Sequence, residues 1–417
     1  MPTLASMTDP TVRSITGDEL GPFLDVVRTA FLSPPLSADS VAARRPYIDI
    51  ERCLGAFDAG GRLCGVARAF ATPLTVPGGE VTAGAVSSVG VLPTHTRQGH
   101  LSRMMRTQLA DVAERGEPVA ILIAAEYPIY GRYGYGPATE AVALRIDATS
   151  ATWRDEPSGS VEIVDNESFA KVISELYERA RRVTPGHIGW ETIRWEIDAG
   201  VTALHDGDDD KRRGATKVVW RDDRGEPQAA TSYHVDESWV HNRPANTIRS
   251  EALVATSARA EHEMLRFLAS VDWVSEVSVW LRPVDDPAPL ALGDARAARL
   301  DDRSDQTWLR VLDVPAALAA RRYATSGSLV IDVDDPLGFV HGRFRLDAGP
   351  EGADCTPTTA DPDLAVRAGA LGAAYLGGQS WARLADVGWV DERRAGALAE
   401  AASLFAVPRA PWGAVTF

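Results

Sequence analysis

The chain has 417 residues, 45% of them hydrophobic, and a formal net charge of −15. That length exceeds what one hydrophobic core usually organises, so two or three domains are expected. The acidic balance argues against a general affinity for nucleic acid or anionic membrane and would draw cationic molecules to the surface, although solubility alone also accounts for it.

No window approaches the roughly 18 consecutive apolar residues of a spanning helix, and residues 1–18 lack the basic and apolar regions of a secretory signal. Cys53, Cys64 and Cys355 are too scattered for a zinc site and too few for a disulfide framework, and the eight histidines form no metal-ligand pattern. The expectation is a cytoplasmic protein with reduced core thiols and no metal.

In chain order, a first region to about residue 150 alternates a helix over 23–31 with strands over 52–57, 63–72 and 81–91, then a helix, a buried strand over 118–125 and an alternating strand over 140–146. This predicts a mixed sheet covered by helices. Residues 150–160 read as a linker. A second region, to about 290, repeats these elements with helices over 168–182, around Ile193 and over 258–268, and strands over 217–220, 247–255 and 276–281. Its acidic run from Asp206 to Asp210, backed by Lys211, Arg212 and Arg213, reads as a solvated hairpin tip. A third region, from about 300, offers a strand over 308–311, a helix over 315–320 capped by Asp313, strands over 328–333 and 338–346, and helices over 363–372 and 391–405. The chain closes on Ala414, Val415, Thr416 and Phe417, an apolar, strand-like end of the kind that is usually tied down.

The segment over 86–103 runs from an apolar strand through a proline turn to Gly99 and an amphipathic helix whose apolar residues Leu101, Met104, Met105, Leu109 and Val112 recur at helical spacing. The backbone N–H groups around Arg97, Gln98, Gly99, His100, Leu101 and Ser102 then fall in an unsatisfied first turn, where the helix dipole favours a pyrophosphate. An ordinary strand–loop–helix connection has the same outline. Beyond the buried strand, Tyr127, Tyr130, Tyr133 and Tyr135 are interleaved with glycines. A phenol there could protonate a departing thiolate, while Tyr133 and Tyr135 fit aromatic packing in a turn equally well.

The segment over 86–103 resembles motif A of the GNAT superfamily of N-acetyltransferases. Residues 129–139, Ile-Tyr-Gly-Arg-Tyr-Gly-Tyr-Gly-Pro-Ala-Thr, with Leu92-Pro-Thr-His, further resemble the Eis family, enhanced intracellular survival acetyltransferases of actinobacteria. Residues 308–318 and 371–378 are similar to it too. The resemblance implies an α/β (α+β) fold of two tandem GNAT-like domains, over 1–150 and 160–295, the second without cofactor, and a sterol-carrier-protein-like domain over 300–417. It implies an acetyl-CoA site formed by Val89, Gly90, Val91, Arg97, Gln98, Gly99, His100, Leu101 and Ser102, with Ala125 and Glu126 beside it. Thr96 and Leu101 depart from the family pattern, which shifts the expected pyrophosphate grip onto backbone N–H groups. By the same resemblance Tyr130 is the general acid and the α-carboxylate of Phe417 the base. Phe31 and Trp195 fall where the family has aromatic pocket walls, though core packing explains them equally. Family members form homohexamers and acetylate amines of aminoglycosides, and some modify protein lysines. A cationic small-molecule amine is the expected acceptor, with a protein lysine or a lipid carried by the third domain as alternatives.

Overall fold

Alternation of apolar residues across 53–91 builds long strands. In the computed structural model, which describes residues 11–417, β1 (Thr11–Ser14), β2 (Cys53–Phe57), β3 (Leu63–Val76) and β4 (Gly79–Val91) form an antiparallel meander. Helices α1 (Leu20–Ala30) and α2 (Ala38–Arg44) interrupt it, and α1 packs on β3 and β4. Helix α3 (His100–Glu114) carries the chain across the sheet to β5 (Val119–Ile123), parallel to β4, as a parallel pair requires. The single turn α4 (Tyr127–Tyr130) and β6 (Gly136–Pro137) follow.

The chain then leaves this sheet. Strands β7 (Glu140–Asp147), β8 (Ser160–Ile163), β9 (Thr216–Arg221) and β10 (Pro227–Asp236), the hairpin β11 (Trp239–Val240) and β12 (Arg243–Pro244), then β13 (Asn246–Ala255), β14 (Val274–Arg282) and β15 (Ala298–Asp305) make up the second unit. Its helices are α5 (Asn166–Arg181), α6 (Thr192–Asp198), α7 (Asp209–Gly214), α8 (Ala258–Ser270) and α9 (Ala288–Ala291). Strand β16 (Thr307–Val311) returns to the first sheet, between β5 and β6. The two seven-stranded sheets have the same plan, β1-β2-β3-β4-β5-β16-β6 and β8-β9-β10-β13-β14-β7-β15. Each takes its sixth strand from the stretch of chain nearest the other. Residues 140–146, expected in the first sheet, therefore lie in the second, and residues 308–311, expected in the third region, complete the first. Alternation predicts a strand but not which sheet it joins.

In the third unit, α10 (Val314–Ala319) is capped by the Asp313 carboxylate, which accepts from the Ala316 N–H at 2.9 Å. A five-stranded sheet follows, made of β17 (Gly327–Asp334), β18 (Gly342–Gly349), β19 (Gly352–Pro357), β20 (Leu364–Arg367) and β21 (Val390–Glu392), with α11 (Ala368–Tyr375), α12 (Trp381–Asp386) and α13 (Ala397–Leu404). The helices expected over 363–372 and 391–405 each begin with a strand instead: Leu364 and Val366 alternate inward, and β20 pairs with β17. The acidic run is no hairpin tip either. Asp206 bonds Arg44 at 2.6 Å and Arg212 at 2.8 Å, tying α7 to α2.

The third unit docks on the first through two glycine-bearing motifs. Helix α11 lies so close to β6 and β16 that a Cβ on Gly136 would meet the Gly369 carbonyl oxygen at 1.9 Å, and one on Gly372 the Leu309 carbonyl oxygen at 2.1 Å. Beside this contact Arg310 and Asp335 form a fully buried ion pair. Arg310 lies against Gly134, underneath the tyrosine loop. No helix among the described residues is long and apolar enough to cross a membrane.

Candidate active site

Strands β4 and β5 pair only through Ala83, Gly84 and Ala85, opposite Val119, Ala120 and Ile121. Beyond that point β4 stays bonded to β3, as far as Gly65 opposite Val91, and β5 stays bonded to β16. The strands splay, and the β5-facing edge of Val86–Val91 is left without a strand partner. A bulge sharpens the opening: Ser88 has φ +54°, between the Arg68–Ser87 and Val66–Gly90 pairs. Val89 and Val91 are half-buried there. Gly90 is covered by α1, where a Cβ would come within 2.7 Å of Ala30.

The loop after β4 turns sharply into α3. Arg97 and Gly99 adopt the left-handed φ values +62° and +82°. Gly99 is the N-cap of α3 and supplies no capping side chain; the first turn carries no acidic residue. The first intrahelical bond runs from the Arg103 N–H to the Gly99 carbonyl at 3.1 Å. The N–H groups of His100, Leu101 and Ser102 precede it and have no intrahelical acceptor. Arg97, Gln98, Gly99 and Ser102 are exposed. Arg103, absent from the sequence expectation, bonds the Gln98 carbonyl at 3.3 Å and adds a second cation to the loop.

His100 meets the loop through its backbone alone. The His100 side chain turns into the core, its ring nitrogens 3.7 and 3.8 Å from the Cys64 sulfur. Burial lowers its pKa and keeps it neutral. Only its backbone N–H faces the loop, because His100, Met104 and Gln108 share the buried stripe of α3.

Ala125 and Glu126 are exposed at the end of β5, on the other lip of the splay. Tyr130 is buried, its ring edge-on to Tyr135 with centroids 6.1 Å apart. Its hydroxyl bonds no protein atom among the described residues, and burial pushes its pKa up to about 12, helped by Tyr133 and Glu126. A phenol so shifted holds its proton throughout the neutral range. The Tyr133 hydroxyl lies 2.9 Å from the Ser102 hydroxyl, tying the tyrosine loop to the first turn of α3.

Ala69 packs with Tyr130 and α3, whereas the next residue, Phe70, points to the opposite face of β3. There the Phe70 ring meets that of Phe417, edge to face at 5.8 Å. Tyr130 and the tail thus approach the first sheet from opposite faces. The Arg68 and Arg194 guanidiniums also lie over Phe70, at 5.7 and 5.1 Å, and neither has a carboxylate within 4 Å among the described residues. The tail forms no strand, but Ala414 and Val415 are buried.

Next to the tail is a cavity of about 550 Å³, lined by Trp190, Trp195, Asp198, Glu251, Trp280 and Thr416 among others. Trp195 is therefore both a core residue and a pocket wall, while Phe31 is 51% exposed beside Gly90. Asp198, at the C-terminal end of α6, is exposed and lines the cavity. Burial pushes its pKa up to about 6, and the helix end also disfavours its charge. Sequence reasoning missed it, since nothing local shows that the end of α6 faces a cavity. No group of three or more His, Cys, Asp or Glu side chains among the described residues is placed to hold a metal ion.

Residues 11–138 and 190–311 each match an acetyltransferase (GNAT) domain family, and residues 314–414 match a sterol carrier protein domain family. An N-acetyltransferase of Streptomyces avermitilis, described as uncharacterized, is 41% identical over 97% of this chain and 98% of its own length. The N-acetyltransferase Eis of Mycobacterium tuberculosis is 34% identical over 86% of both chains. The crystal structure of Eis1 from Mycobacterium abscessus superposes with a TM-score of 0.85 at 32% identity, covering 98% of this chain and all of that one. A GCN5-related N-acetyltransferase from Anabaena variabilis shares the fold, with a TM-score of 0.84 at 19% identity over 98% of this chain and all of its own. Splayed strands, a loop that leaves the first turn of α3 uncapped by any side chain, two GNAT domains and a sterol-carrier-like domain thus occur together in one chain, which belongs to the Eis family of GNAT N-acetyltransferases.

Proposed function

We propose that this acetyltransferase moves the acetyl group of acetyl-CoA directly to an amine of a cationic small molecule, with aminoglycoside-type acceptors foremost. The observation that carries the reading is the β4–β5 splay opening beside the free N–H groups of the Arg97–Ser102 loop. The strand edge suits an amide-bearing arm and the loop a pyrophosphate, held by backbone donors with Arg97 and Arg103 at hand. In the proposed step the amine nitrogen bonds the thioester carbonyl carbon, the C–S bond breaks, the α-carboxylate of Phe417 takes the nitrogen's proton and the Tyr130 phenol gives its own to the thiolate. Arg68 and Arg194, packed on the ring that Phe417 meets, favour the charged form of a carboxylate there.

For the acceptor, the cavity beside the tail combines carboxylates with indole faces, a pairing that suits ammonium groups. A lipid-carrier role is less well supported, because the buried side chains of Arg321, Tyr323, Tyr375, Trp381 and Phe405 fill the interior of the third unit. We further propose a homohexamer in the cytoplasm. Exposed Trp239, Val240 and Trp273 form an apolar face that an assembly would cover, and the three cysteines are free and buried.

The test is thiol release from acetyl-CoA across aminoglycosides, polyamines and lysine peptides, with product masses. Saturable turnover of aminoglycosides is expected. Turnover of peptides alone would replace this acceptor class, and no thiol release with any amine would overturn the reading.

A further inference from the structure

The second unit repeats the strand plan of the first, including the splay. Strands β13 and β14 pair in parallel from Asn246 to Ser250, opposite Val274 to Val279; β13 then continues to Ala255 on its β10 edge alone. In the first unit that opening faces a free loop. In the second the tail walls it. A cavity of about 250 Å³ between Val254, Ala255, the start of α8 and Arg282 has Trp412 in its wall. The Trp412 indole sits edge-on to the His187 ring at 4.7 Å, with the Arg282 guanidinium 5.4 Å from its centroid. The anion-binding features have also been filled in: the Ser257 hydroxyl accepts the Ala260 N–H, and Glu261 brings a carboxylate into the first turn of α8, ion-paired with Arg282. A pyrophosphate would meet that carboxylate where the first unit offers free donors.

One residue along, the tail is held again. Gln306, buried at the crossing where the chain passes from the second sheet back to the first, bonds Gly413 twice: its amide oxygen accepts the Gly413 N–H at 2.9 Å and its amide nitrogen donates to the Gly413 carbonyl at 2.7 Å. The crossing is itself pinned by the Thr307 N–H bonding the Thr139 hydroxyl at 2.9 Å and the Gln306 N–H bonding the Thr139 carbonyl at 3.0 Å. Trp412 is anchored from behind, its N–H bonding the Pro185 carbonyl at 3.1 Å. Four residues after Gly413 the chain reaches Phe417.

We propose that the second acetyltransferase-like unit serves as the seat of the C-terminal tail: Trp412 docks in the wall of its strand opening, against His187 and Arg282, and Gln306 clamps Gly413. Together they fix Ala414–Phe417 between the acceptor cavity and β3, which makes Trp412 and Gln306 positioning residues for the terminal carboxylate. The proposal rests on the reading of Phe417 as the base. A side-chain amide that satisfies both backbone polar groups of one buried residue fixes the tail far better than packing alone, since losing it strands a buried donor and acceptor.

The test is a double-mutant cycle in the full-length chain. Gln306→Met keeps volume and removes both bonds, Trp412→Leu removes the indole from the wall of the opening, and a chain extended by one glycine after Phe417 displaces the carboxylate. Each of the three is expected to lower kcat by about 10- to 100-fold, the size set by a misplaced general base, with acetyl-CoA Kd unchanged. In the extended background the two substitutions should cost less than about twofold more, because the group they position is already displaced. Hydrogen exchange should rise at 412–417 and stay unchanged in β4, β5 and α3. Equal losses in both backgrounds, or wild-type kcat in both Gln306→Met and Trp412→Leu, would overturn the positioning role. Full activity of the extended chain would overturn the Phe417 reading instead, so the two failures are told apart. If Gln306→Met fails to fold, Gln306→Glu keeps the shape and turns one bond into a repulsion with the Gly413 carbonyl, and the same cycle applies.

Discussion

Replacing Tyr130 by Phe removes one oxygen atom from the proposed site and nothing from the core. The ring stays in its cluster with Ala69, Met105, Leu109 and Trp308, edge-on to Tyr135. The lost hydroxyl bonds no protein atom among the described residues, so folding stability should change by no more than about 0.5 kcal/mol. Catalysis should respond differently. A positioned acid contributes about 10²- to 10⁴-fold, so kcat should fall at least about 100-fold, or roughly 2.7 kcal/mol of barrier. Because burial holds the Tyr130 pKa up to about 12, only about one molecule in a thousand is ionised at pH 9. The wild-type rate should therefore show no alkaline limb from this group below about pH 10. The assay is steady-state thiol release from pH 6 to 10, alongside thermal melts and acetyl-CoA binding by calorimetry. A variant within threefold of wild type, or an alkaline limb near pH 9 that the substitution abolishes, would rule out Tyr130 as the acid.

Asp198 has a folded pKa of about 6, above its ordinary 3.8, so kcat/KM for a cationic acceptor should rise through pH 6 as it ionises, and Asp198→Asn should abolish that rise. Because the folded state holds this proton more tightly, the group's contribution to stability is present below about pH 4 and lost as pH rises to about 6. Asp198→Asn should accordingly raise Tm at pH 7.5 but not at pH 4. Gly99→Ala places a Cβ at φ +82°, a strain of about 1–2 kcal/mol; the KM for acetyl-CoA should rise about tenfold and the acceptor KM stay constant. Gly136→Ala would drive a Cβ to 1.9 Å from the Gly369 carbonyl oxygen, a backbone contact that no rotamer relieves. It should cost about 3 kcal/mol or more and, measured by chemical denaturation, separate the third unit from the first.

The strand, proline turn, glycine and helix of residues 86–103 were legible because each signal is local: an apolar run, a breaker, then a helical period. Cap residues such as Asp313 were legible for the same reason. Sheet membership was not. Residues 140–146 and 308–311 alternate like any half-buried strand, and their exchange between sheets depends on the Thr139–Gln306 crossing, which joins residues 167 positions apart. The inward turn of the His100 side chain was not legible, because starting the apolar stripe at Leu101 hid the register that puts residues 100, 104 and 108 on one face. The glycines of the tyrosine loop looked like turn residues; Gly136 in fact makes room for α11. Asp198, Trp412 and Gln306 carried no local signal, since their roles arise from what the tertiary fold sets beside them.

The proposed reaction is transfer of an acetyl group from acetyl-CoA to an amine at the first unit's cleft. Its most direct measurement incubates the purified protein with acetyl-CoA and an aminoglycoside, counting thiol released and acetyl groups gained by the acceptor, with wild-type and Tyr130→Phe chains side by side. The expected result is one N-acetyl group per thiol in the wild type and a rate about 100-fold lower in the variant. Thiol release without acceptor acetylation, or equal rates in both chains, would contradict it.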